Sequence, residues 1–199
     1  MAQFKTRARA LDLLGRQQIA GIPTAINELI KNAHDAYADH FDIDFLRKDN
    51  MLVLRDDGIG MSKLDFLDRW LTLGTDSKVG KSNSLPPVDP TKQHRPIMGE
   101  KGIGRLAIAS IGSQVLILTK AKYESANNIV AAFICWDVFE LTGLNIDDVV
   151  IPVREFNDVP NREEIESLKK ECINSLKELY EKGSIDKDDF SRIKCMVNG

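Results

Sequence analysis

A chain of 199 residues, 43% hydrophobic and 29% charged with 13 Gly and 7 Pro, is long enough to bury about 70% of its extended surface in one domain, and collagenous, disordered and disulfide-scaffold classes are excluded. Its formal charge of −3 sets up no global field of the kind that marks a nucleic-acid binder. Three cysteines, Cys135, Cys172 and Cys195, are odd in number and far apart, which argues against a disulfide framework or a paired-cysteine zinc site and for reduced, structural thiols. No apolar run approaches the roughly 20 residues of a membrane span, and the first residues lack the apolar stretch of a signal peptide. A cytosolic protein is predicted.

In chain order, Ala8, Leu11, Leu14 and Ile19 give residues 5–20 an amphipathic helical rhythm. After Gly21 and Pro23, a second helix is predicted from Ala25 to Tyr37, with Ile26, Leu29, Ile30, Ala33 and Ala36 on its apolar side. Phe41 to Phe45 and Met51 to Leu54 read as strands joined by a polar turn. Ser62 to Leu73 is helical in pattern, Ser62 and Asp65 suggesting a cap and Leu64, Leu67, Trp70 and Leu71 a buried stripe. Periodicity vanishes between Gly74 and Met98, which hold four of the seven prolines; a loop of this length inside a compact domain points to a functional lid or a disordered segment. Gly102 to Ile111 resumes a helical rhythm. Val115 to Thr119 and Ile129 to Trp136 read as antiparallel strands, and Val149 to Val153 as a last strand. Beyond Pro160, residues 161–199 carry 9 acidic and 8 basic side chains around an apolar stripe of Ile165, Leu168, Cys172, Leu176 and Leu179, a charged amphipathic helix followed by a shorter one. The division expected is 1–160 as one domain and 161–199 as a helical extension, the start of a further region in a longer protein.

Three clusters carry chemistry. On the second helix Glu28, Asn32 and Asp35 stand at i, i+4 and i+7, so two carboxylates and an amide share a face. A strand runs directly into Asp56-Asp57-Gly58-Ile59-Gly60-Met61, whose alternate glycines let the backbone approach another group closely. Gly99-Glu100-Lys101-Gly102-Ile103-Gly104-Arg105 is a G-x-x-G-x-G run leading into a helix, where successive N–H groups and the helix dipole favour phosphate. It is neither a dinucleotide fingerprint nor a Walker A loop. Each cluster alone also fits a surface helix face, a strand-end turn or a plain glycine turn.

The order is more specific: a helix with E-x-x-x-N-x-x-D-A, a strand ending in D-x-G-x-G-M, a lid-like loop, G-x-x-G-x-G into a helix, then a strand ending in Thr119. Over roughly residues 1–155 this resembles the GHKL superfamily, the ATPases of the gyrase B, heat-shock chaperone, histidine kinase and MutL type. In motif style it is nearest the heat-shock-chaperone and MORC members. The resemblance implies the Bergerat fold, an α+β two-layer sandwich of a mixed, mostly antiparallel sheet with helices on one face.

The resemblance also implies roles. Glu28 is similar to the general base that activates water, Asn32 to the Mg²⁺ ligand, and Asp35 to the aspartate that supports the site directly or through water. Asp56 matches the carboxylate that accepts from the adenine amino group, with Gly58, Gly60 and Met61 beside the base and Thr119 binding adenine through water. Lys78, in the lid from about 74 to 98, resembles a phosphate contact. Gly99, Gly102, Ile103 and Gly104 would offer N–H groups to phosphates; Lys101 and Arg105 suit phosphate contact or plain surface charge. The chemistry is self-consistent, because Mg²⁺ prefers oxygen ligands and keeps several waters, and positioning supplies nearly all of the catalysis at a γ-phosphate.

ATP and Mg²⁺ as cofactors, ADP as product, slow hydrolysis, a nucleotide-dependent homodimer and an unknown client or downstream domain follow as expectations. Nucleic acid and membrane are not indicated. Two alternatives stand beside them, an ATP-binding scaffold without turnover and a histidine-kinase-like phosphotransferase. His34, His40 and His94 read as solvated or loop histidines, and Trp70, Trp136 and Cys135 as core.

Overall fold

The computed structural model describes residues 5–16, 19–73, the backbone of 84–85, 91–99, 104–123 and 128–199. The N-terminal segment runs extended along its own chain before it turns helical: Arg7 bridges Asn145, and the Ala8 N–H donates to the Leu144 carbonyl at 3.0 Å. The first helix, α1 (Arg9–Gly15), is therefore shorter than its periodicity predicts. Helix α2 (Ile22–Asp35) starts after Gly21, whose φ of 101° suits only glycine, with Pro23 in the first turn. It ends in a Schellman arrangement, Ala38 N–H to Ala33 carbonyl and Tyr37 N–H to His34 carbonyl, each at 3.0 Å. The left-handed residue there is Tyr37, at φ 61°, where glycine is usual.

Strands β1 (Phe41–Leu46) and β2 (Met51–Asp56) form an antiparallel hairpin in the register Phe41 to Asp56. The expected helix over 62–73 is a single capped turn, α3 (Lys63–Asp65), that widens into a π-helix over Phe66–Trp70. Trp70 and Leu71 of the predicted stripe pack against the core, while Leu64 and Leu67 turn outward. Leu64 is 69% exposed and Phe66 is fully buried, stacked on Trp70 with ring centres 5.1 Å apart, because the i to i+5 turn rotates Phe66 inward. Two short strands, β3 (Ser84–Leu85) and β4 (Arg95–Pro96), pair within the stretch read as a loop. A 3-10 helix, Gly104–Ser110, follows.

Strands β5 (Gln114–Lys120), β6 (Ile129–Cys135) and β7 (Val153–Phe156) make an antiparallel sheet in the order β5-β6-β7, the last lying a few residues beyond its predicted place. The fold is the α+β arrangement of helices and antiparallel strands that the sequence implies, and all strand pairing among the described residues is antiparallel. Val130 and Ala132 pack with Phe66 on one side of β6, while alternate residues meet α4 (Arg162–Glu181) on the other. The apolar sequence of β6 has no polar interruption because both its faces are buried. Asn161 and Glu164 close a capping box on α4, and Asp186 caps α5 (Lys187–Asn198). Leu168, Leu176, Ile193 and Val197 of these helices join the core that holds Leu11, Leu106, Ile134 and Trp136.

Candidate nucleotide site

Helix α2 carries the first cluster, and the structure brings it against the third. A Cβ added to Gly104 would lie 2.9 Å from Glu28 Oε2 and 3.9 Å from Asn32 Nδ2, so the start of the 3-10 helix sits directly against both side chains, and a larger residue would displace the Glu28 carboxylate. Glu28 Oε1 accepts from Lys31 Nζ at 2.7 Å, a partner one turn away that the motif reading missed. Asp35, almost enclosed, accepts the Met98 N–H at 2.8 Å on Oδ1 and the Gly99 N–H at 3.0 Å on Oδ2. Gly99, expected to offer its N–H to phosphate, gives it here to Asp35.

The second cluster meets β5. Asp56 Oδ1 takes the Gly58 N–H at 2.9 Å, an Asx turn that holds the exposed carboxylate in place, while Oδ2 accepts from none of the described residues. Gly60, at φ 63°, packs so tightly on Lys120 that a Cβ would stand 1.9 Å from the Lys120 carbonyl oxygen. Met61 N–H donates to Thr119 Oγ1 at 3.0 Å, which leaves the Thr119 hydroxyl proton for another acceptor. The two halves join at Ala36. Its carbonyl accepts the Ile59 N–H at 2.9 Å, and a Cβ on Gly58 would touch Ala36 Cβ at 3.0 Å. The alanine that ends E-x-x-x-N-x-x-D-A thus has a physical reason, since a larger side chain would push the Asp56 turn away from α2.

This arrangement of helix, D-x-G-x-G turn and glycine-flanked 3-10 helix has counterparts. Residues 21–151 match the family described as histidine kinase-, DNA gyrase B- and HSP90-like ATPase. The chain belongs to that family. The chaperone protein HtpG of Wigglesworthia glossinidia brevipalpis is 26% identical over 88 residues, and a protein of Herpetosiphon aurantiacus named putative type II restriction enzyme HgiDII is 36% identical over 86. Each match covers 43% of this chain and only 13% of the relative.

Among the remaining expectations for this ATPase-family chain, Lys78, Lys101, Gly102 and Ile103, with most of the 74–98 lid, lie outside the described residues. Arg105 turns toward the start of that stretch. Its Nη2 donates to the Thr72 carbonyl, its Nε is enclosed with no partner among the described residues, and burial holds its pKa below the usual arginine value. His34, read as solvated, has Nδ1 enclosed 3.6 Å from Asp35 Oδ1. His40, read as a solvated or loop histidine, is exposed and meets Asp57 through Nδ1 at 3.1 Å; that hydrogen bond raises the His40 pKa, and bonds from the His40 backbone and ring hold Asp57 well below the usual carboxylate range. Seventeen residues separate the two, so spacing gave no signal. Cys135 and Cys172 are buried, which pushes their thiols up to about 11 and about 12 and leaves them inert. No helix among the described residues is long and apolar enough to cross a membrane.

The donor set fits Mg²⁺ and a nucleotide. Glu28 and Asn32 share one face of α2 and carry oxygen donors, the ligand type that Mg²⁺ prefers, and Asn32 would be the residue to hold the ion. A carboxylate at Asp56 can accept from an exocyclic amine.

Proposed function

We propose that this chain binds ATP with Mg²⁺ between α2, the Asp56–Met61 turn and Gly104, and hydrolyses it slowly. The observation that carries this reading is the convergence of Glu28 and Asn32 on Gly104, with Asp56 and Thr119 joined to the same helix through Ala36. Asp56 accepts from the adenine amino group, Thr119 contacts the base through water, and Gly60 and Met61 line it. Asn32 holds the cation, which neutralises charge on the phosphates. Glu28 orients and deprotonates the attacking water, and must leave Lys31 or share its charge with it to do so.

Lid movement over 74–98, pairing of two copies and a cytoplasmic setting belong to the same proposal. Both relatives are far longer than the segment shared with this chain, and one is named a chaperone, the other a putative restriction enzyme. We take the shared part to be the nucleotide module. A retained Glu28 favours hydrolysis over phosphotransfer to a histidine and over a silent scaffold.

Calorimetric titration of MgATP into the purified chain tests the reading. Binding that vanishes in Asp56→Ala, persists in Glu28→Ala with turnover lost, and loses its Mg²⁺ dependence in Asn32→Ala supports it. Binding unaffected by Asp56→Ala, or turnover unaffected by Glu28→Ala, would overturn the assignment.

A further inference from the structure

The C-terminal end of α2 holds more than its own cap. Lys92 Nζ donates to the Tyr37 carbonyl at 2.8 Å and to Asp39 Oδ2 at 2.7 Å. Arg95 donates to the Ala38 carbonyl at 2.6 Å and to Asp39 Oδ1 at 2.6 Å, and its guanidinium lies 5.4 Å from the centre of the buried Tyr37 ring. The Arg95 N–H reaches the Tyr37 hydroxyl at 3.3 Å. Two cations from 91–99 thus sit where the carbonyls and dipole of α2 end, which is where cations are favoured. The acidic partner Asp39 has its carboxyl pKa held down, first by Lys92 and then by Arg95.

The same strap then delivers Met98 and Gly99 to Asp35. Gly99 and Gly104 are the first and last glycines of the G-x-x-G-x-G run, and both rest on α2, the former through Asp35 and the latter against Glu28 and Asn32. We infer that Asp35 is a positioning residue: together with the Tyr37–Asp39 clasp it seats Met98 and Gly99 on the helix that carries Glu28 and Asn32, so that one rigid element sets the place of the first glycine of the run relative to both side chains. Left-handed backbone at Tyr37 fits this role. A glycine there would relieve the backbone but remove both the ring under Arg95 and the hydroxyl that takes its N–H.

This inference rests on the nucleotide reading, and the test separates the two. Asp35→Asn keeps shape and size but replaces one acceptor oxygen by an N–H₂ group facing a backbone donor. MgATP and adenosine are titrated into the parent and the variant, and amide exchange at Met98 and Gly99 is followed by NMR. Expected are faster exchange at those two amides with the β5–β6 ladder unchanged, MgATP affinity weaker by about tenfold or more, and adenosine affinity within about twofold of the parent. A purely structural role would lower both affinities in parallel, and direct contact with the base would lower that for adenosine; either result overturns the inference. So does unchanged MgATP affinity with both amides released. If Asp35→Asn does not fold, Lys92→Met loosens the same strap from its far side and should show the same split between the two ligands, a parallel loss again counting against it. Should the parent bind neither ligand, the nucleotide reading falls and the positioning role with it, while amide exchange still reports whether the Asp35 contacts exist.

Discussion

Gly60→Ala should be among the most damaging single-methyl changes in the chain, and the structure allows its cost to be divided. The residue sits at φ 63°, so alanine first meets the left-handed penalty, about 1–2 kcal/mol. Its Cβ would then stand 1.9 Å from the Lys120 carbonyl oxygen and 2.7 Å from the carbonyl carbon. Lys120 cannot retreat, because it is the last residue of β5 and pairs with Ile129 of β6. The turn must move instead by about 1 Å or more, breaking Met61 N–H to Thr119 Oγ1 and Lys122 N–H to the Ile59 carbonyl, each worth about 0.5–1.5 kcal/mol. The sum is about 2–5 kcal/mol. Gly183→Ala supplies the control, since Gly183 has φ 70° and nothing within 4 Å of an added Cβ, so only the backbone penalty applies. Urea unfolding of both variants measures the difference. Equal losses in the two would refute the contact argument, and MgATP affinity retained by a folded Gly60→Ala would refute the placing of this turn beside the base.

Phe66→Ala should lose about 3–5 kcal/mol in urea unfolding as a core cavity opens, while Leu64→Ala stays within about 0.5 kcal/mol; the reverse order would restore the sequence-based stripe. Arg16→Ala strips the partner from the enclosed Asp137 and should cost about 2–4 kcal/mol, against about 0–1 kcal/mol for Arg154→Ala, whose bonds to Glu171 and Ser167 are exposed. The His40–Asp57 pair gives a pH signature. The contribution of His40, whose pKa is raised, is complete below its ordinary 6.5 and is lost as pH rises through the raised value; that of Asp57, whose pKa is lowered, is present above 3.8 and is lost as pH falls through the depressed value. The melting-temperature gap between parent and His40→Ala should therefore narrow from about pH 6 to about pH 8, and a gap that widens would contradict the assignment. Ending the chain after Pro160 bares the β6 face under Leu168, Cys172 and Leu176, and circular dichroism should find the shortened chain unfolded or aggregated rather than native-like.

What the sequence revealed and what it hid divide along physical lines. Helix α2 was legible because Ile26, Leu29 and Ala33 repeat at helical spacing between a glycine-proline start and a polar end. The second and third clusters were legible because glycine marks close approach: a Cβ on Gly58 or Gly60 would meet backbone, and one on Gly104 would meet the Glu28 carboxylate. Phe66 was missed because a π-helical turn breaks the 3.6 period on which stripe reading depends. The strap was out of reach for a different reason. Lys92 and Arg95 find Tyr37, Ala38 and Asp39 across more than fifty residues, and no local pattern encodes such a meeting. Tyr37 itself gave a misleading signal, since left-handed helix ends are normally announced by glycine or asparagine.

Helix α2 explains why those long-range contacts bear on chemistry. Positions at a reacting phosphate need sub-ångström accuracy, and a rigid helix provides this better than a loop. Yet among its residues only Ala25 and Ala33 are fully buried, while Ile22 and Ile30 stay largely exposed, so little apolar area fixes the helix in place. Its seating depends on close backbone approach along the 3-10 helix at Gly104 and on the polar clasp at its C-terminal end. Those polar bonds sit partly in solvent and are individually modest, but they act at the end where Asp35, Ala36 and Tyr37 also hold the strap and the Asp56 turn. A ligand that bridges the Asp56 turn and Gly104 would add contacts at both ends of the same helix. Its binding energy and the order of the strap are therefore coupled through α2, and loosening the clasp must weaken the ligand by the same factor as the ligand tightens the clasp.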